Sequence, residues 1–197
     1  MSEAVSDIDR DQALIARIAT GDKRAFEALF RVYGERVFRY AVRLISDPTR
    51  AEEVTNDVML EVWKNAPRFE GRSRVSTWIL GITRNLALNS IRRKALDTVT
   101  VDDAPPIADE STESAGAVAL DRATLSQGIR AALSQLSQDH RDVVELTFFH
   151  GCSYEEIAEI VGCPEGTVKT RMFHARKQLH TLLARQGLDP ASVEMAS

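Results

Sequence analysis

The sequence predicts an all-α protein of two helical domains joined by a flexible acidic linker. Three features predict it. No segment alternates apolar and polar residues for long enough to make a strand, whereas apolar residues recur at helical spacing through two long blocks. Glycine and proline punctuate the first block, at Gly21, Gly34, Pro48, Pro67 and Gly71, so its helices should be short and compactly bundled. Between the blocks the charge changes sign. Asp97, Asp102, Asp103, Asp109, Glu110, Glu113 and Asp121 are the only charged residues of that stretch, and Pro105-Pro106 interrupts it. Such a segment buries too little apolar surface to offset its ordering entropy. The expected boundaries are 11–96 for the first domain, 97–119 for the linker and 120–185 for the second domain.

The net charge of −4 is unexpected for a nucleic-acid binder, but the acidic linker offsets basic surfaces elsewhere. Between Arg72 and Lys94, for instance, there is no acidic residue. No apolar run can span a bilayer, and the N-terminal MSEAVSDIDRD is acidic rather than signal-like, so a cytoplasmic protein without membrane insertion is expected. Cys152 and Cys163 cannot build a disulfide framework or a four-cysteine zinc site. His150 precedes Cys152 by two residues, as a ligand pair might, but no companion cluster follows, so no metal and no cofactor are expected. Scattered histidines, no phosphate-binding glycine loop and no nucleophile beside a base argue against an enzyme.

In the first block, Leu14, Ile15 and Ile18 mark a short helix. Asp22 can cap a second, with Phe26, Leu29, Phe30 and Tyr33 on one side, and Val37, Phe38, Ala41, Val42, Leu44 and Ile45 form a third apolar set. In DPTRAEEVTNDVMLEVW, Thr49 and Glu52 have capping-box spacing. Val54, Val58 and Val62 share a stripe that Leu60 and Trp63 widen, while Glu52, Glu53, Asn56, Asp57 and Glu61 face away. By itself an acidic outer face is ordinarily a solvated one. A loop then carries Arg68, Phe69, Arg72 and Arg74, and a helix starting near Ser76 or Thr77 runs through Trp78, Ile82, Arg84 and Asn85 to a basic last turn, Arg92-Arg93-Lys94. Cations interleaved with aromatic and amide side chains are the components of a single-strand binding surface. A basic helix end favoured by the macrodipole, with Trp78 in the core, accounts for the same residues.

In the second block, Leu125, Ile129, Ala132, Leu133 and Leu136 form a stripe, and Ser137 can cap a helix that His150-Gly151 ends. The stretch SYEEIAEIVGCPEGTVKTRMFHARK then predicts two helices about a tight turn. Ser153 and Glu156 make a capping box, Gly162 suits a left-handed stop, and Pro164 suits the first turn of the next helix. Val168, Met172, Ala175 and Leu179 would pack inward. Thr167, Thr170, Arg171 and His174 share another face, flanked by Lys169, Arg176 and Lys177. Short polar side chains and a guanidinium beside a basic flank suit a major groove, though an ordinary solvated hairpin face has similar residues. Residues after Gln186 carry no readable signal.

Two helical blocks, an acidic linker and a terminal helix-turn-helix resemble bacterial RNA polymerase sigma factors of the extracytoplasmic-function (ECF) class, over roughly 11–94 and 120–183. AEEVTNDVMLEVW resembles the helix that docks on core RNA polymerase, FEGRSRVSTWILGITRN the element that melts and reads the −10 promoter element, and SYEEIAEIVGCPEGTVKTRMFHAR the −35 helix-turn-helix. The resemblance implies core polymerase binding at Glu53, Asn56, Asp57 and Leu60, with Asn56 standing where the family often has glutamine. It implies −10 contacts at Phe69, Arg72, Arg74, Trp78, Arg84, Asn85, Arg92, Arg93 and Lys94, including a pocket for a flipped base. It implies −35 contacts at Thr167, Lys169, Thr170, Arg171, His174, Arg176 and Lys177. The expected partners are core RNA polymerase, promoter DNA and an anti-sigma factor, with the acidic linker competing with DNA phosphate for the basic surfaces. A freestanding transcriptional regulator is the rival, because a GTVKTR-like helix also occurs in response-regulator output domains.

Overall fold

The computed structural model describes residues 2–98 and 128–186, and side chains from residue 8 to 95 in the first of these stretches. Among the described residues every regular element is helical. In order they are α1 (Ser2–Ala19), α2 (Lys23–Ile45), α3 (Pro48–Asn65), a 3-10 turn (Ala66–Arg68), α4 (Val75–Thr98), α5 (128–134), α6 (Gln138–Phe148), α7 (Tyr154–Val161) and α8 (Glu165–Arg185). They fall into two compact units. One comprises α1–α4 together with Glu155–Gly162, and the other contains α5, α6 and α8. Nearly all of the expected acidic linker, the expected helix start at Leu120, and Leu125 lie outside the described residues.

In the first unit α2, α3 and α4 pack on one another, and α1 lies against α2 and the 3-10 turn. Leu29, Val37 and Tyr40 of α2, Val58, Met59 and Val62 of α3, and Ile79 and Leu80 of α4 fill the core. Each such side chain contributes about 1.5–3 kcal/mol by leaving water. Asp22 caps α2, accepting from the amides of Arg24 and Ala25 at 2.9 and 3.1 Å. The guanidinium of Arg17 hydrogen-bonds the same carboxyl and, with the Ala25 amide, holds it below the usual carboxylate range. The buried Asp11 of α1 accepts a hydrogen bond from Tyr33 Oη and lies 3.1 Å from the Arg10 guanidinium. Burial, and then Asp11, push the Tyr33 phenol far above its ordinary pKa.

Several expected boundaries shift. The apolar set from Val37 is not a separate helix, because α2 runs through Gly34. Glycine serves packing there rather than punctuation: a Cβ at position 34 would meet Phe30 Cε1 at 2.9 Å. Asp47, not Thr49, caps α3, with its carboxylate accepting from Arg50 N at 3.2 Å and Pro48 at the first helical position. A carboxylate is a strong cap and proline has no amide to leave orphaned, so together they outcompete the later threonine. Helix α4 starts at Val75, one residue early, and continues to Thr98, so Arg92-Arg93-Lys94 is not its last turn. The first helix is likewise longer than its apolar stripe, reaching back to Ser2.

In the second unit α6 packs on α8, with Val143 and Leu146 of α6 and Val168, Met172 and Ala175 of α8 all buried. Leu179, expected inside, is half-buried. Ser137 caps α6 as expected, its hydroxyl accepting from His140 N at 3.4 Å. Arg141 donates to the carbonyls of Leu133, Ser134 and Leu136 at 3.2, 2.8 and 3.2 Å, placing a cation where α5 runs out of amide donors.

Candidate nucleic-acid interface

The recognition-type helix α8 is entered through a turn built by Gly162 and Pro164. Gly162 has φ 71°, a left-handed conformation that costs glycine nothing, and its amide donates to Ala158 O at 2.9 Å. Pro164 stands at the N-cap with extended backbone (φ −60°, ψ 146°), one position before its expected place, and α8 begins at Glu165. Val168, Met172 and Ala175 then bury one face. The opposite side exposes Lys169, Thr170, His174, Arg176 and Lys177, with Thr167 half-buried at its edge.

These side chains are not equally available. Lys169 pairs with Glu165 at 2.7 Å, a hydrogen bond that raises its pKa. The Thr170 hydroxyl donates to Gly166 O at 3.0 Å. The Arg171 side chain is only 24% exposed, with Nη2 2.6 Å from Asp139 and Nη1 3.6 Å from Cys163 Sγ. His174 stacks at 6.4 Å on the half-buried His140 ring. Arg176 lies over the Phe148 ring at 5.8 Å. Sequence reasoning missed Phe173, among the described residues the most exposed large hydrophobic side chain at 66%, in edge contact with His174. The available signal was a bulky apolar residue lying off the apolar stripe of its helix.

A second surface lies between α3 and α4, where a cleft of about 690 Å³ is lined by Glu53, Asp57 and Leu60 from one helix and by Arg93 and Lys94 from the other. The sequence placed these residues in separate functional groups. Arg50 ties the two helices together here, donating to the backbone oxygen and, at 2.6 Å, to the hydroxyl of Ser90. Asn56 and Leu60 are exposed, Leu60 by 48%. Arg92 is exposed on α4 but does not line the cleft.

A smaller cavity of about 370 Å³ brings Trp78 and Asn85 together with Arg68 of the preceding 3-10 turn and with Asn65, which sequence reasoning had not assigned to a site. Trp78 is half-buried, and Phe69 packs on it at 4.8 Å between ring centres. The tryptophan thus belongs partly to the core and partly to the cavity wall. Arg72 is exposed and pairs with Glu70 at 2.6 Å, Arg74 pairs with Glu156 at 3.3 Å, and Arg84 is half-buried on α4. Among the described residues no group of three potential metal ligands occurs, and both cysteines are free thiols. No helix among them is long and apolar enough to cross a membrane.

Residues 29–96 match the family model described as Sigma-70 region 2, and residues 126–179 match Sigma-70, region 4. The RNA polymerase sigma-H factor of Pseudomonas aeruginosa is 33% identical over 187 residues, covering 89% of this chain and 94% of the relative. The ECF RNA polymerase sigma factor SigM of Mycobacterium tuberculosis is 34% identical over 175 residues, covering 88% and 84%. Among solved structures, CnrH in complex with the cytosolic domain of CnrY aligns with a TM-score of 0.67 at 23% identity, over 89% of this chain and 98% of that one, a likeness of fold. The sigma factor RpoE in complex with the anti-sigma factor NepR from Bartonella quintana aligns with a TM-score of 0.64 at 26% identity, over 81% and 96%. With two helical domains carrying regions 2 and 4 in order, and relatives of that class matched along nearly their whole length, the chain belongs to the ECF group of RNA polymerase sigma factors.

Proposed function

We propose that this chain binds core RNA polymerase and directs promoter-specific initiation, reading the −10 element with residues 11–96 and the −35 element with residues 120–185. The observation that carries this is the pair of family matches, region 2 followed by region 4, each over a segment with solvent-exposed cationic side chains. Glu53, Asn56, Asp57 and Leu60 present an acidic surface that ends in an exposed leucine, the composition of a docking face with one apolar anchor. Phe69, Trp78 and Asn85 receive a flipped base of the non-template strand, while Arg72, Arg74, Arg84, Arg92, Arg93 and Lys94 neutralise nearby phosphates. Extruding a base costs a few kcal/mol of stacking, which an aromatic wall and cationic surroundings return. Thr167, Lys169, Thr170, Arg171, His174, Arg176 and Lys177 face the −35 major groove.

The chain performs no bond chemistry of its own on this reading and acts in the cytoplasm, where the polymerase is. An anti-sigma factor is its regulatory partner, by likeness to RpoE bound to NepR. Run-off transcription from a promoter library with purified core enzyme tests the proposal. Promoter-specific transcripts should appear only when the protein is added. A protein that binds promoter DNA alone and confers no initiation on core enzyme is a freestanding regulator instead.

A further inference from the structure

Asn65 sits on the wall of the 370 Å³ cavity with Arg68, Trp78 and Asn85, and its amide is already oriented. Asn65 Nδ2 lies 2.9 Å from Glu61 O and 3.0 Å from Glu61 Oε2. Both partners are acceptors, so only the NH2 end of the amide can face them, and both of its hydrogens are used. The other carboxylate oxygen of Glu61 accepts from Lys64 Nζ at 3.1 Å, which leaves Oε2 to the Asn65 amide. Asn65 Oδ1 is therefore a fixed hydrogen-bond acceptor, beside the cationic donor Arg68 and an aromatic wall.

Resting on the proposed −10 function of this cavity, we infer that Asn65 selects the base the cavity holds, favouring the amino bases adenine and cytosine over the keto bases guanine and thymine. Adenine N6 and cytosine N4 are donors, and each lies next to a ring acceptor that a guanidinium can satisfy. Guanine O6 and thymine O4 are acceptors at the corresponding position and would face Oδ1 lone pair to lone pair. A site built around a fixed polar group discriminates because the wrong ligand leaves that group desolvated and unpaired. Glu61 is a positioning residue in this scheme, since it decides which end of the Asn65 amide meets the base.

The test uses holoenzyme assembled from this chain and core polymerase, with labelled single-stranded oligonucleotides of a −10 non-template strand taken from a transcribed promoter. Each position carries each of the four bases in turn. Wild-type holoenzyme should prefer adenine or cytosine at one position by about tenfold. Asn65→Ala should remove that preference there and leave the other positions unchanged. Glu61→Gln offers a donor to Asn65 Oδ1 and lets the amide turn, so the preference at the same position should move toward a keto base. This second variant guards against a merely structural effect, which would weaken all four oligonucleotides alike. Unchanged base profiles in both variants, or uniform weakening, overturn the inference while leaving the −10 reading in place. Absence of any strand binding by wild-type holoenzyme overturns the −10 reading and the inference together.

Discussion

The Arg171 guanidinium on α8 lies 2.6 Å from the carboxylate of Asp139, in the first turn of α6. A guanidinium that the sequence places among the −35 contacts is therefore held by an acid in the isolated chain. A partly exposed pair of this kind contributes about 0–1 kcal/mol, little enough for a guanine edge to displace. Arg171→Ala should lower initiation chiefly at promoters with the cognate −35 sequence, by about 1–3 kcal/mol of discrimination. Asp139→Asn should keep that selectivity, because the guanidinium remains. Run-off assays across −35 variants check both. If the two substitutions instead weaken every −35 sequence equally and lower the thermal midpoint together, Arg171 braces α8 on α6 and reads nothing.

Docking on core polymerase is predicted to depend on Leu60, which is 48% exposed and contributes little to the core of its own unit. Leu60→Ala and Asp57→Ala should each weaken core binding by about 1–2 kcal/mol, the range of a moderate interface anchor. Their thermal unfolding should match wild type. Competition binding against an unmodified sigma factor, paired with a thermal melt, separates the two effects. A large fall in melting temperature would assign Leu60 to folding.

Tyr33 should make the first unit sensitive to alkali. Its phenol pKa is raised, chiefly by burial and then by Asp11, so the folded state favours the neutral form. The stabilisation is fully present below the unfolded value of about 10 and is lost as pH rises beyond it toward the higher folded value. Tyr33→Phe should cost about 1–3 kcal/mol near neutrality, because a buried carboxylate loses its donor. The variant should then lose less stability than wild type between pH 10 and higher pH, read by denaturant melts over that window.

The turn before α8 depends on Gly162 at φ 71°. Open space surrounds its α-carbon, so a methyl group there meets no neighbour and the penalty is conformational. Gly162→Ala should cost about 1–2 kcal/mol. Thermal unfolding should report that loss, and −35-dependent transcription should fall with it. An unchanged midpoint would mean that the turn accepts a right-handed alternative.

Much of this protein was legible along the chain. Period and punctuation identified the helices, because a helix that must bury one stripe advertises it every three or four residues. Asp22, Ser137 and Gly162 acted where they stand because capping and left-handed turns are local chemistry. The alternation of basic blocks with an acidic stretch, and the resemblance it supported, needed no coordinates either.

Other features depended on residues far apart in sequence. Gly34 looked like a stop and proved to be a seat for Phe30. Glu53 and Asp57 were an acidic face in one helix, and only the packing of α3 on α4 set Arg93 and Lys94 across a cleft from them. Arg171 has the same side chain in the sequence as in the fold, but its availability was decided by an aspartate 32 positions earlier. Asn65 was invisible for a related reason. A single amide has two interchangeable ends, and which one it shows depends on Glu61 one turn away and on the cavity that α4 closes beside it. Periodicity records which side of a helix is buried. The partner a polar side chain finds is set by packing, as it is for Arg171 with Asp139 and for Asn65 with Glu61.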